Sequence, residues 1–434
     1  MAANPAVTRP HEQGVRRSRR VRLFRKDRTG KFEFSGHPTA RSAPVITVDD
    51  ALAELFALVA PLASEEVPLR AAVGRVLARQ VTARRTQPAF DASSMDGYAV
   101  RAAEVEPDAM FKIIGEAAAG HAFSGRVGPG QAVRIFTGAP VPEGADFVVI
   151  QEDTTRRGSL ITLGHDIGAK DNIRRAGSDF SQGDPMSAPR RLSPSDIALL
   201  AAMNHATVPV ARRPTVAILA TGDELVMPGE TPGPDQIVAS NTFGLAAQLE
   251  LLGAQPRLLP IARDTESALA GALRMAASAD LILTIGGASV GDHDLVGPVA
   301  ASLGMGQAFY KVAMRPGKPL MAGRLLNVPM IGLPGNPVSA MVCGTVFVAP
   351  VVRVMLGLPA APAARLSAPL AVDLPANGPR EHYMRAVLDT DGLRVAASQD
   401  SALLATLAQS NALLVRPPND PARAAGEIVD YIPI

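Results

Sequence analysis

From Arg213 onward, short aliphatic runs alternate with helical stretches, and three of those runs end in glycine-rich turns. The turns read Thr221-Gly222-Asp223-Glu224, Gly286-Gly287-Ala288-Ser289-Val290-Gly291-Asp292-His293-Asp294 and Pro334-Gly335-Asn336-Pro337-Val338-Ser339-Ala340. Alternation of this kind implies a mostly parallel sheet covered on both faces by helices. Ligands of such sheets bind beyond the carboxyl ends of the strands, and the turns fall there. Backbone N–H groups at the turns suit a phosphate, and the acids suit a divalent metal. The pattern predicts one concave site for an anionic ligand.

Cap and breaker residues place the elements. Strands are expected at Thr215–Thr221, Arg257–Ile261 and Leu281–Ile285. Helices are expected from a Ser240-Asn241 cap to Leu252, from a Thr265 cap to Ala279, near Leu295–Leu303, and from Pro337 to about Leu356. Upstream, Thr47 with Asp50 caps a helix whose apolar spacing runs from Ala51 to Leu62. Ser193-Pro194-Ser195-Asp196 caps another, Ile197 to Met203. Between them, residues 86–176 are rich in Gly, Pro and short β runs and read as a small inserted β domain. The expected organisation is a basic disordered tail (1–44), a discontinuous N-terminal domain (45–85 plus 177–212), the inserted domain (86–176), the α/β domain (213–358) and a β-rich C-terminal domain (359–434).

Composition narrows the chemistry. At 434 residues the chain needs several domains. A single cysteine, Cys343, excludes an internal disulfide and a Cys-based zinc site, and its apolar neighbours mark it as a buried hydrophobe. No run of about 18 apolar residues is evident, so no membrane helix is expected. Residues 1–41 carry a balance of +8 and the remainder −6. The tail holds Arg16-Arg17-Ser18-Arg19-Arg20 without a following apolar stretch, so it is not read as an export signal, and the expected place is the cytoplasm. Nucleic acid is not an expected partner.

Lysine is rare after residue 41, where only Lys112, Lys170, Lys311 and Lys318 occur. Lys311, Arg315 and Lys318 therefore form a notable cationic segment. Lys311 and Arg315, four apart, would face the same way on a strand and could meet phosphate or an oxyanion. Gly222 would bring Asp223 and Glu224 to the ligand edge, and Gly286-Gly287 would let backbone approach a ligand closely. Gly287-Ala288-Ser289-Val290-Gly291 also matches the Gly-x-Ser-x-Gly elbow of α/β hydrolases, but His382 is the one histidine placed to serve a triad and would lie in another domain.

Five segments in order carry a resemblance. They are Ser94-Met95-Asp96-Gly97-Tyr98-Ala99, Phe136-Thr137-Gly138-Ala139, Thr221-Gly222-Asp223-Glu224, Gly286-Gly287-Ala288-Ser289-Val290-Gly291 and Leu333-Pro334-Gly335-Asn336-Pro337-Val338-Ser339-Ala340. Together they resemble the MoeA family, the molybdopterin molybdenumtransferases, which includes the C-terminal domain of gephyrin. The resemblance implies a multidomain α/β and β protein: a MogA-like, mostly parallel sheet domain, an inserted small β domain, an elongated helical/β segment and a β-rich C-terminal domain. It also implies a homodimer whose sheet domain faces the partner's inserted domain.

The implied reaction takes adenylylated molybdopterin and molybdate, requires Mg²⁺, and releases AMP. Matched by motif, Asp96, Thr137, Glu224, Asp264 and Asp294 would be catalytic, with Glu224, Asp264 and Asp294 toward the metal. Gly222, Ser240, Gly286, Gly287, Ser289, Lys311, Arg315, Lys318, Pro334, Gly335, Asn336, Arg385 and Ser401 would bind substrate. Arg315 stands where many relatives have Lys, and Ala239 where Asp is usual. A molybdopterin adenylyltransferase would act upstream, and molybdoenzyme chaperones or apoenzymes downstream. The competing readings are a MogA-type adenylyltransferase, against which the extra domains argue, and a non-enzymatic molybdopterin carrier or scaffold.

Overall fold

The computed structural model describes residues 44–287 and 295–434. Its first helix, α1 (Val48–Ala57), starts where the Thr47 hydroxyl accepts the Asp50 N–H at 3.1 Å. The helix ends at Ala57, not Leu62. Its apolar face (Val48, Leu52, Leu55) is buried in the same core as Ile218 and Leu283 of the α/β sheet. Burying each such side chain is worth roughly 1.5–3 kcal/mol. The following strands, Ser64–Pro68, Val76–Leu77, Arg190–Arg191 and Thr207–Ala211, form a separate four-stranded sheet.

The inserted sheet has six strands: β1 (Gly97–Val100), β2 (Met110–Ala117), β3 (Gln131–Ile135), β4 (Phe147–Ile150), β5 (Thr154–Arg157) and β6 (Leu160–Leu163). Their order is β4-β1-β3-β2-β6-β5. Helix α2 (Pro194–Ala202) follows, with Pro at its start and a reciprocal capping box between Ser193 and Asp196.

The α/β sheet comprises β7 (Thr215–Ala220), α3 (Asn241–Leu252), β8 (Gln255–Leu258), α4 (Glu266–Ala276), β9 (Leu281–Ile285), α5 (Val296–Ser302) and β10 (Gly306–Tyr310). Strand β11 (Met314–Arg315) leaves this sheet, whereas β12 (Met321–Leu325) and β13 (Val328–Leu333) rejoin it. The order is β8-β7-β9-β13-β12-β10, with the first four strands parallel and the last two joined antiparallel. Five of six residues in β7 and all five in β9 are buried, as expected for strands covered on both faces.

Helices α6 (Pro337–Cys343) and α7 (Ala349–Met355) are joined by a π segment, Gly344–Val348. The whole stretch Pro337–Met355 is 19 residues with mean hydropathy 1.9, long and apolar enough to cross a membrane by length and composition. This corrects the expectation that no such run exists: Ser339, Thr345 and Arg353 are polar residues within an otherwise apolar stretch. Its hydropathy is accounted for by packing, since 78% of it is buried inside the protein. Cys343 lies in it, fully buried, and burial pushes its thiol pKa up.

The C-terminal sheet contains β14 (Leu366–Pro369), β15 (Glu381–Asp389), β16 (Gly392–Val395), β17 (Ala412–Arg416) and β18 (Ile428–Pro433), in the order β11-β15-β17-β18-β14 with β16 beside β15. A short helix, α8 (Leu404–Ala408), precedes β17. Strand β11 thus stitches the α/β region to the C-terminal sheet, and Tyr383, Leu413 and Ile432 join the main core.

Candidate active site

Strands β7, β9 and β13 are neighbours, so Gly222, Gly286-Gly287 and Pro334-Gly335, which follow them, emerge side by side. A cleft of about 610 Å³ opens above them. It is lined by Gly222, Glu224, Ser240, Asp264, Gly286, Gly287, Pro334, Gly335 and Asn336, with Asn241 and Ala402 at its walls. The chain crosses from β8 over β7 to β9, which makes this edge the switch point at which open α/β sheets bind ligands.

Local packing shapes each turn. Gly222 has φ +144°, and a Cβ there would lie 2.2 Å from a Glu224 carboxylate oxygen. Glycine therefore lets Glu224 fold back over the turn. The Glu224 carbonyl accepts the Ile237 N–H at 2.8 Å, tying the turn to the short β ladder Leu225–Val226 with Ile237–Val238. Asp223 is engaged otherwise: Arg263 donates to its carbonyl at 2.9 Å, and the Asp264 N–H reaches its carboxylate at 3.4 Å. Glu224 and Asp264 are exposed, and among the described residues neither carboxylate has a hydrogen-bond partner.

The expected Ser240-Asn241 cap is not formed, and Asn336 also turns elsewhere. Ser240 precedes α3 but makes no side-chain cap; its neighbour Asn241 instead donates from Nδ2 to the Gly335 carbonyl at 2.7 Å. Asn336 precedes α6 without capping it and donates to the Ser401 hydroxyl at 3.1 Å. The first contact links α3 to the third turn. The second brings a loop of the C-terminal region over the start of α6, where Val338 N–H also reaches the Ser401 carbonyl at 3.1 Å.

The cationic residues are distributed differently from the expectation. Lys311 and Arg315 do not share a strand: Lys311 leaves β10 with φ +123°, and Arg315 pairs with His382 in the other sheet. The Lys311 ammonium sits 5.3 Å from the Tyr310 ring centre. Lys318 is exposed, and its neighbour Pro319 lines the cleft. Arg385 is 1% exposed and spends its donors inside the protein, on Gln399 Oε1 and on the Ser398 and Leu403 carbonyls. It organises the loop carrying Ser401 rather than facing the cleft. His382 is 7% exposed, and burial together with Arg315, Arg380, Arg416 and Arg385 brings its pKa down to about 4. A neutral, buried imidazole among arginines does not serve a hydrolase triad. Ser289 and Asp294 lie outside the described residues.

On the inserted sheet, the Asp96 carboxylate accepts both the Thr137 N–H and the Thr137 hydroxyl, each at 2.8 Å. These bonds hold its carboxyl below the ordinary Asp range. Neither residue lines the cleft of its own chain.

Three family models match in order: "MoeA N-terminal region (domain I and II)" over residues 46–204, "Probable molybdopterin binding domain" over 217–354, and "MoeA C-terminal region (domain IV)" over 367–434. The molybdopterin molybdenumtransferase of a Nostoc species is 38% identical over 411 residues, covering 89% of this chain and 93% of that protein. The chain belongs to the MoeA family, the molybdopterin molybdenumtransferases. The Bacillus subtilis member is 33% identical over 402 residues, covering 89% of this chain and 94% of that protein. Among solved structures, the molybdopterin biosynthesis MoeA protein of Pyrococcus horikoshii OT3 superposes with a TM-score of 0.79 at 27% identity, covering 90% of this chain and all of that one. The chain is therefore a transferase of molybdenum cofactor biosynthesis, with a multidomain fold built around an α/β sheet.

Proposed function

We propose that the cleft takes adenylylated molybdopterin and molybdate as substrates and releases AMP, with Mg²⁺ required. The observation that carries this is the convergence of Gly222, Gly286-Gly287 and Pro334-Gly335 with the start of α3 on one cleft. Unpaired N–H groups at helix starts and turns favour phosphate oxygens. Water adds to the phosphoanhydride joining pterin phosphate to AMP, releasing AMP and the pterin phosphate; the two dithiolene sulfurs bind molybdenum, and one molybdate oxide leaves as water with the two thiol protons.

Glu224 and Asp264 are hard oxygen donors on one wall, which suits Mg²⁺. Among the described residues no three His, Cys, Asp or Glu side chains cluster as a metal site. One or two carboxylates, completed by substrate phosphate and water, is the coordination that Mg²⁺ prefers, and Asp294 remains a proposed third ligand. Bound there, Mg²⁺ would neutralise charge on the separating phosphates. Lys311, Arg315 and Lys318 are proposed to meet the pterin phosphate or molybdate, Ser289 and Ser401 to touch substrate, and Arg385 to act through the Ser401 loop.

Asp96 and Thr137 are proposed to complete the cleft of a partner subunit in a homodimer. Their absence from the lining of their own cleft supports this. The protein would act in the cytoplasm, between a molybdopterin adenylyltransferase upstream and molybdoenzyme chaperones or apoenzymes downstream. The test is AMP release from adenylylated molybdopterin with molybdate and Mg²⁺ each added or withheld. Release that needs both, with a molybdenum-loaded pterin as product, supports the proposal. A folded sample that binds the pterin and releases no AMP points to the carrier reading.

A further inference from the structure

Arg134 lies on β3 directly opposite Tyr98 of β1, and Phe136 lies two residues further along the same face. Its guanidinium carbon lies over both rings, 5.0 Å from the Tyr98 centre and 4.7 Å from the Phe136 centre. Contact of this kind suits the planar guanidinium. The same group donates from Nη1 to the Gly97 carbonyl at 3.1 Å and from Nη2 to Gln151 Oε1 at 2.7 Å. Both acceptors flank Asp96. Gly97 is the next residue, and the Gln151 N–H donates to the Asp96 carbonyl at 3.0 Å.

The backbone around Asp96 has little freedom to compensate for losing this clamp. A Cβ on Gly97 would lie 1.9 Å from the Val149 carbonyl, so β4 presses against β1 at that point. Phe136, one of the two rings, immediately precedes Thr137, which holds the Asp96 carboxylate. One side chain thus touches the main chain after Asp96, the residue that closes its carbonyl, and the residue before Thr137.

We propose that Arg134 is a positioning residue for the transferase reaction, clamping β1 to β3 so that Asp96 and Thr137 meet the substrate in fixed alignment. The inference rests on the reading that Asp96 and Thr137 belong to the active cleft. Sequence alone gave no cue to it beyond adjacency to the Phe136-Thr137-Gly138 turn.

The experiment measures kcat and KM for AMP release in Arg134→Lys and Arg134→Gln, each alone and combined with Thr137→Val, with Asp96→Asn as reference. Lysine keeps the charge and the aliphatic stem, which protects folding, but cannot reproduce the flat fork. Each single Arg134 variant should lower kcat by about 10- to 100-fold with KM moved less than about threefold, the penalty of a misaligned site. In the Thr137→Val background the further loss should shrink to about twofold, because the alignment is already lost. Wild-type kcat in Arg134→Lys and Arg134→Gln, with Asp96→Asn impaired, would overturn the inference alone. Equal fractional losses in both backgrounds, paralleled by lowered melting temperature, would assign Arg134 to the fold only. Wild-type kcat in Asp96→Asn would overturn the underlying reading and the inference with it.

Discussion

The cleft and the inserted sheet both present carboxylates, but they prepare them in opposite ways. Glu224 and Asp264 stand exposed on the cleft wall with no hydrogen-bond partner among the described residues. Asp96 is tied by two donors from Thr137, and its strand is clamped by Arg134 and Gln151. An open carboxylate keeps its lone pairs for a cation brought with the substrate. A tied one is fixed in position and held ionised, and it offers its charge without reorganising. Under the proposed function the two regions would divide the work: one would await ligands, and the other would supply a preset charge.

The largest effect should come from the open side. Glu224→Gln keeps shape but removes charge, and AMP release should fall by about 100- to 1000-fold with the far-UV CD spectrum unchanged. Release within about twofold of wild type would break the contrast, because an open carboxylate would then have no role.

Next comes the tied side. Thr137→Val removes the hydroxyl donor and leaves the N–H. The Asp96 pKa is depressed in the folded protein, so losing a donor raises it, and activity should fail at higher pH as the solution is acidified. A loss of about 10-fold near neutrality should accompany an upward move of the acid limb of the pH–rate profile. An unmoved acid limb would show that Asp96 ionisation does not limit the reaction.

A smaller change sharpens the distinction between a tied carboxylate and a functional one. Burial alone would raise the pKa of Asp196, but the Ser193 N–H and hydroxyl, with Arg190, hold it below the ordinary range. Its contribution to stability is therefore present above the unfolded-state pKa and is lost as pH falls. Ser193→Ala should cost about 1 kcal/mol in thermal unfolding, more visibly near neutrality than in acid, with AMP release unchanged. Lost activity at unchanged stability would contradict this assignment. The least effect is expected from removing residues 1–41, which should change kcat less than about twofold; a large loss would bring the tail into the reaction.

What was legible in the sequence was local. Thr47, Ser193 and Thr265 cap their helices because a cap needs only the next three residues. Leu281–Ile285 is a strand as expected, because an uninterrupted aliphatic run between polar ends has few other fates. The turns after β7, β9 and β13 could be recognised because each is written in consecutive residues. What escaped depends on distant partners. Met314–Arg315 looks continuous with the preceding strand, yet it pairs with residues 381–382, which no local pattern announces. Asn241 looks like a helix cap, but its partner is Gly335. Arg385 carries the charge expected of an anion ligand, and only its packing on Ser398, Gln399 and Leu403 shows that the charge is turned inward. The Arg134 contact likewise needs Tyr98 from a neighbouring strand.

The most direct test of the division between the two regions is complementation between inactive subunits. Asp96→Asn and Glu224→Gln chains would be co-expressed with different tags, the mixed dimer population recovered, and AMP release compared with wild type. If a site joins the cleft of one subunit to the inserted sheet of the other, each mixed dimer has one intact site of two. In the recovered mixed dimers, activity per dimer should therefore return to about one half of wild type. Activity no higher than that of either variant alone would place both carboxylates in a site within one chain and contradict the account.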